Sequence, residues 1–179
     1  MATALPGFDA PAVGFEAPYE MLEACHERVQ RSLDLLGRLV GYIGDQGHDA
    51  QTRSAAADVL RYFDLAAPLH HQDEEQHVFP LLLAQGDVAL GVTVQRLQAD
   101  HRQMEALWAE ARKALLRWRE PDCQEKVSAD SLEAITRFRG LYAGHIEAEE
   151  GLVFPAARAA MSADVQAAMG AEMQARRRA

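Results

Sequence analysis

The sequence predicts an all-α fold, an up-down-up-down four-helix bundle over residues 19–160. An irregular N-terminal arm (residues 1–18) precedes it and a short C-terminal helix (residues 161–179) follows. Three observations predict this. Strong helix formers (Ala, Leu, Glu, Gln, Arg) dominate, while Val, Ile and Thr are too sparse for a large sheet. Apolar residues recur at helical spacing through long segments. Gly- and Pro-containing breaks between those segments are short, which makes neighbouring helices antiparallel. The length suits one domain with its own core.

Pro6, Gly7, Pro11, Gly14 and Pro18 keep the arm irregular, and Phe8 and Phe15 are expected to pack it on the body. The first helix is expected from Tyr19 to about Tyr42, with Leu22, His26, Val29, Leu33, Leu36 and Val40 on one stripe and Gly41, Gly44 and Gly47 ending it. The second is expected from near Gln51 to about Ala84, its inward stripe running through Phe63, Ala67, His70, Glu74, His77 and Leu81. Pro80 should kink it or tighten its last turn. After the break at Gly86-Asp87, the third helix runs to about Arg119 with Leu97, His101, Glu105 and Trp108 inward. After Pro121-Asp122, the fourth carries Leu132, Ile135, Phe138, Tyr142, His145, Glu149 and Leu152 inward. Ser162 reads as the N-cap of a fifth helix ending near Arg176, and Arg176-Arg177-Arg178 as its solvated end.

The inward stripes carry an unusual cargo. The word His-x-x-x-Glu-Glu-x-x-x-Phe-Pro occurs twice, at His70–Pro80 and His145–Pro155. A His and a Glu four residues apart lie on one helix face. The offset between the words also carries His26 to His101, Leu22 to Leu97 and Phe63 to Phe138, the mark of a duplicated helical hairpin. At about 1.5 Å per residue, His26 to the end of its helix and the start of the next to His70 are each roughly 27–28 Å, and the third and fourth helices match in the same way. Antiparallel packing therefore puts all four histidines at one level.

Imidazoles and carboxylates buried at that level without partners would each cost several kcal/mol, roughly. Cations remove the conflict. His and carboxylate donors without thiolate suit iron, manganese or zinc, and six ligands are too many for one tetrahedral zinc. They suit two ions bridged by carboxylates, with iron the first choice and manganese or zinc as alternatives. Asp73, Glu105 and backbone carbonyls are candidates to orient the imidazoles. His71, Glu75 and Glu150 sit off the inward stripe and read as exposed or as supports behind the ligands. His77 reads as inward, His48 as solvated, and Cys25, Phe63, Trp108, Phe138 and Tyr142 as packing.

The net charge of −9 argues against a nucleic-acid or anionic-membrane binder. No apolar stretch is long enough for a bilayer, and no signal-peptide pattern opens the chain. Two cysteines without a disulfide framework fit a reducing cytoplasm. No nucleophile–base–oxyanion arrangement or phosphate loop is recognisable.

With these residues in view, the chain resembles the hemerythrin-like HHE cation-binding domain family over roughly residues 19–160. The resemblance implies that His26, His70, Glu74, His101, His145 and Glu149 are metal ligands. It implies that Glu74 and Glu149 bridge two irons, with His26 and His70 on one and His101 and His145 on the other. Oxygen-carrying members have a further His one turn beyond the third-helix His, where this chain has Glu105. The ligand set is closer to bacterial di-iron repair proteins of the same group. The function expected is a di-iron protein that binds or reacts with oxygen, nitric oxide or peroxide in sensing, scavenging or iron handling under stress. An iron-responsive regulatory module without turnover is the alternative. Glu105, as a seventh ligand, would favour the ferric state.

Overall fold

The computed structural model of the protein describes residues 14–178. Among these the chain forms five helices and no strand. Helix α1 is Pro18–Gln46. Helix α2 is one continuous helical rod over residues 50–84, built from Ala50–Arg61, Ala67–Asp73 and Phe79–Ala84 with π-helical turns at Tyr62–Ala66 and Glu74–Val78 between them. Helix α3 is Val88–Trp118. Helix α4 covers residues 129–160, as Ala129–Ala148, a π-helical turn at Glu149–Val153, and Phe154–Ala160. Helix α5 is Ala163–Arg176.

Local chemistry sets the boundaries. Pro18 opens α1, where its missing N–H costs nothing. Gly41 and Gly44 do not end the helix; Gly47, with φ of 79°, does, because it takes the left-handed conformation that its neighbours avoid. A reciprocal capping box between Asp49 and Thr52 starts α2, and Asp87, Ser128 and Ser162 cap α3, α4 and α5 through their side chains.

All three π turns precede a proline at the second position of the resumed helix: Ala67-Pro68, Phe79-Pro80 and Phe154-Pro155. A proline in a regular helix clashes with the carbonyl four residues back and cannot donate to it. Here the preceding N–H reaches the carbonyl five back, from Ala67 to Tyr62, Phe79 to Glu74 and Phe154 to Glu149. Pro80 thus widens its turn and does not tighten it. The related position to Pro68 in the second half is Ala143, and α4 is regular there.

The extra residue in each π turn moves the apolar stripe by one position. Val78, Phe79 and Leu82 are buried in α2, and Val153, Phe154 and Ala157 in α4. Leu152, expected inward, is 48% exposed; Leu132 is exposed as well, and His77 is turned toward α5.

The core has two apolar bodies. One is built around Val29, Leu36, Val59, Phe63, Met104, Leu115 and Phe138, the other around Tyr19, Leu22, Val78, Phe79, Leu97, Val153 and Phe154. Between them lies a layer of buried His and Glu. The arm expected at residues 1–18 falls, up to residue 13 and with Phe8, outside the described residues. Phe15 packs against the second body under the guanidinium of Arg177. Gly170 in α5 allows this approach, because a Cβ there would overlap the Phe15 carbonyl oxygen.

No helix of the described residues is long and apolar enough to cross a membrane.

Candidate metal centre

Each helix of the bundle delivers its candidate metal donors from a single turn. α1 supplies His26, α2 supplies His70 and Glu74, α3 supplies His101, and α4 supplies His145 and Glu149. All six are 0–7% exposed. Their donor atoms form two groups, His26–His70–Glu74–Glu149 and Glu74–His101–His145–Glu149, each with atoms within 4.8 Å of one another. Both carboxylates belong to both groups. His70 Nε2 lies 3.3 Å and His101 Nε2 3.4 Å from the two oxygens of Glu74. His26 Nε2 lies 3.2 Å and His145 Nε2 2.9 Å from the two oxygens of Glu149. Each carboxylate therefore reaches both sides of the layer.

Both oxygens of Glu74, both of Glu149 and Nε2 of His26 are buried without a hydrogen-bond donor or acceptor of good geometry. Such groups are costly in a protein interior. Burial, with the Glu149 charge beside it, pushes the Glu74 carboxyl well above the ordinary carboxylate range. Burial pushes Glu149 the same way, but the His145 and His26 imidazoles, with Nε2 at 2.9 and 3.2 Å from its oxygens, outweigh it and hold it well below. Burial keeps the imidazoles of His70 and His101 neutral, each depressed further by a neighbouring histidine. Against burial, contacts with Glu149 and Glu150 raise His26. Imidazole nitrogens and carboxylate oxygens crowded together without partners are the donor set that cations satisfy. The residues therefore fit a pair of metal ions.

The other ring nitrogens are held from outside the layer, and the pattern follows the duplication. His26 Nδ1 meets Glu150 Oε1 at 2.8 Å, and His101 Nδ1 meets Glu75 Oε1 at 3.1 Å. Phe154 stacks on the His26 ring at 5.5 Å and Phe79 on the His101 ring at 5.6 Å. Each half thus grips the lone histidine of the other with the second Glu and the Phe of its own word. His145 Nδ1 meets Asp100 Oδ2 at 3.4 Å. The repeated letters Glu75, Glu150, Phe79 and Phe154 carried this signal in the sequence; Asp100 had none.

Several expectations are corrected. Glu105 is exposed and lies outside both ligand groups, because Met104 takes the inward position on that turn. Asp73 supports no imidazole. It is fully buried against Arg176 and Arg177, at 2.6 and 2.5 Å, so these arginines are not a solvated helix end. His77 pairs with Glu172 of α5 at 2.6 Å. His48 is tied to the Glu125 carbonyl, at 2.6 Å, in the loop before α4. His71 stacks face to face on His101, ring centroids 4.1 Å apart. Tyr142 lies against the layer with its hydroxyl pushed above its ordinary range by burial and by nearby Tyr62 and the two carboxylates.

A cavity of about 370 Å³ reaches this layer at His101. Phe63, Trp108, Phe138 and Tyr142 form its walls, with His71 beside the ring and Arg102 and Glu105 at its mouth. Asp64 fixes the Trp108 indole at 2.9 Å and is itself clasped by Arg112.

Comparison with known proteins agrees with this geometry. Residues 17–157 match the hemerythrin HHE cation-binding domain family. An uncharacterized protein of Haemophilus influenzae is 34% identical over 160 residues, which cover 89% of this chain and 90% of that protein.

Proposed function

The chain belongs to the hemerythrin HHE cation-binding domain family, and from that premise we propose a non-haem di-iron protein that binds or reacts with a small molecule: oxygen, nitric oxide or peroxide. The observation that carries this reading is the sharing of two unpaired, buried carboxylates by two groups of imidazoles. Glu74 and Glu149 would serve both ions, with His26 and His70 completing one position and His101 and His145 the other. Iron bound there supplies reversible one-electron chemistry and an affinity for diatomic and peroxide ligands.

The chain's own residues set the terms. The aromatic-walled cavity offers a small molecule a way to the His101 side. Tyr142 lines that cavity, and burial holds its hydroxyl in the protonated form. Glu75 and Glu150 hold the imidazoles of His101 and His26 in the orientation that directs Nε2 inward.

The test is metal analysis of protein purified without chelator, followed by rapid mixing of the ferrous form with oxygen, nitric oxide or hydrogen peroxide under optical observation. Two irons per chain and a spectral change with at least one of these are expected. A chain that takes up no iron, or whose iron is inert to all three, overturns the reading.

A specific contact favours a second reading, an iron-responsive switch without turnover. Asp73, next to Glu74, anchors Arg176 and Arg177, so α5 is tied to the neighbour of a bridging ligand. Catalytic consumption of peroxide or nitric oxide would exclude the switch. Iron-dependent change in protease cleavage within residues 163–176, with no turnover, would favour it.

A further inference from the structure

The grip on the four imidazoles follows the duplication for one pair, His26 and His101, and departs from it for the other, His70 and His145. His26 and His101 are held alike, by Glu150 and Glu75 across the repeat. His145 has Asp100 behind it, at 3.4 Å, with Arg96 3.9 Å from the same carboxylate oxygen. The offset that carries His70 to His145 carries Cys25 to Asp100. Cys25 is a free, buried thiol, and His70 Nδ1 is buried with no hydrogen-bond partner. A thiol is a weak acceptor and cannot do for an imidazole N–H what a carboxylate does.

We propose that the two metal positions are unequal. The His101–His145 position is the tight one. The His26–His70 position is the labile one, because Cys25 leaves the His70 ring without the support that Asp100 gives His145. This rests on the di-metal reading above. It adds that the protein passes through a defined one-metal state, so the second ion is exchangeable while the first stays in place. Asp100 and Cys25 act here as positioning residues and not as ligands.

The ligand residues carry the same protein donors on both sides, two imidazoles and the shared carboxylates. Direct ligation alone therefore predicts two intrinsically equivalent positions. Repulsion between the two ions would weaken the second step without favouring either position. What decides is which position each step belongs to, read from the single variants. Loss of one such support typically lowers metal affinity about 10–100-fold, enough to separate the two binding steps in a competition experiment.

The experiment is anaerobic titration of the metal-free full chain with Fe(II), and separately Co(II), against a graded chelator. Bound metal per chain is counted after each step. Two steps are expected, the second about 10–100-fold weaker. His70→Ala should lose the weak step and keep one tight ion, whereas His145→Ala should lose the tight step. Cys25→Asp should tighten the weak step, and Asp100→Asn should weaken the tight one toward it. Cys25→Ser, which adds no carboxylate, should leave two unequal steps. If Cys25→Asp fails to fold, Asp100→Asn alone decides. Two equal steps in the unaltered protein, or a tight step indifferent to Asp100→Asn, would overturn the inequality while leaving the di-metal centre standing. No metal uptake at all would instead overturn the di-metal reading itself.

Discussion

In the repeated word each letter has a separate task. The His and the first Glu face the layer, the second Glu bonds the ring of the opposite lone histidine, and the Phe stacks on that ring. The two related halves thereby hold each other, and neither lone histidine is positioned by the Glu and Phe of its own half. Removing the Glu75 carboxylate should free His101 to rotate. Glu75→Ala is expected to weaken the metal held there about 10–100-fold, read by chelator competition; unchanged affinity would make Glu75 an ordinary surface acid. Glu149→Ala should do more, because Glu149 serves both groups. It is expected to abolish binding of both ions and with it any metal-dependent rise in melting temperature. The six inward residues could be read from the sequence because a four-residue spacing fixes their face within one helix. The gripping residues were legible only in part: repetition marked Glu75 and Glu150, but they lie off that face, and which ring each holds depends on how another helix packs. Asp100 was harder still: its counterpart is a cysteine, so repetition hides it.

The π turns determine whether the word works as an element. A strictly regular helix carrying His70 and Glu74 inward would turn His77 and Leu81 inward after them. Pro80 prevents this, and the widened turn brings Val78, Phe79 and Leu82 inward in their place. The bundle's long helices were legible because apolar periodicity outlasts local irregularity. The one-residue slip was not, because a projection at constant pitch assumes the hydrogen-bond register that Pro80 and Pro155 break. Pro80→Ala with Pro155→Ala restores a donor at each site and lets a regular helix compete with the π turn. The expected result is near-unchanged helical circular dichroism with weaker metal binding, as Phe79 and Phe154 lose their fixed stacking on His101 and His26. Full metal affinity in the double variant would mean that packing, and not proline, sets the π turns.

Over the whole molecule, a polar layer separates two apolar bodies, and α5 closes the bundle over residues next to that layer. Its closure is electrostatic as well as apolar: Met169 and Met173 are buried, while Arg176 and Arg177 reach the fully buried Asp73. Asp73→Ala would leave both guanidinium groups without their acceptor, and a loss of about 2–3 kcal/mol is expected for such charged hydrogen bonds, measured by denaturant unfolding. The second clasp is Glu172, whose carboxyl is lowered from 4.5 to about 2 by its hydrogen bond to Arg176 and by His77. A depressed carboxylate stabilises the folded form above its unfolded pKa and ceases to do so as pH falls through its folded value. The contribution of Glu172 is therefore complete above about pH 4.5 and lost between there and about pH 2. Because the side chain is well exposed, solvent screens the effect, and a local loosening of α5 is expected before global unfolding. Amide exchange within residues 163–176 should accelerate across that window ahead of the bundle core. Glu172→Gln should show the same acceleration at pH 7, away from the acid titration of the surface carboxylates. If the Gln variant exchanges like the unaltered protein at neutral pH, the apolar contacts of Met169 and Met173 alone hold α5 in place.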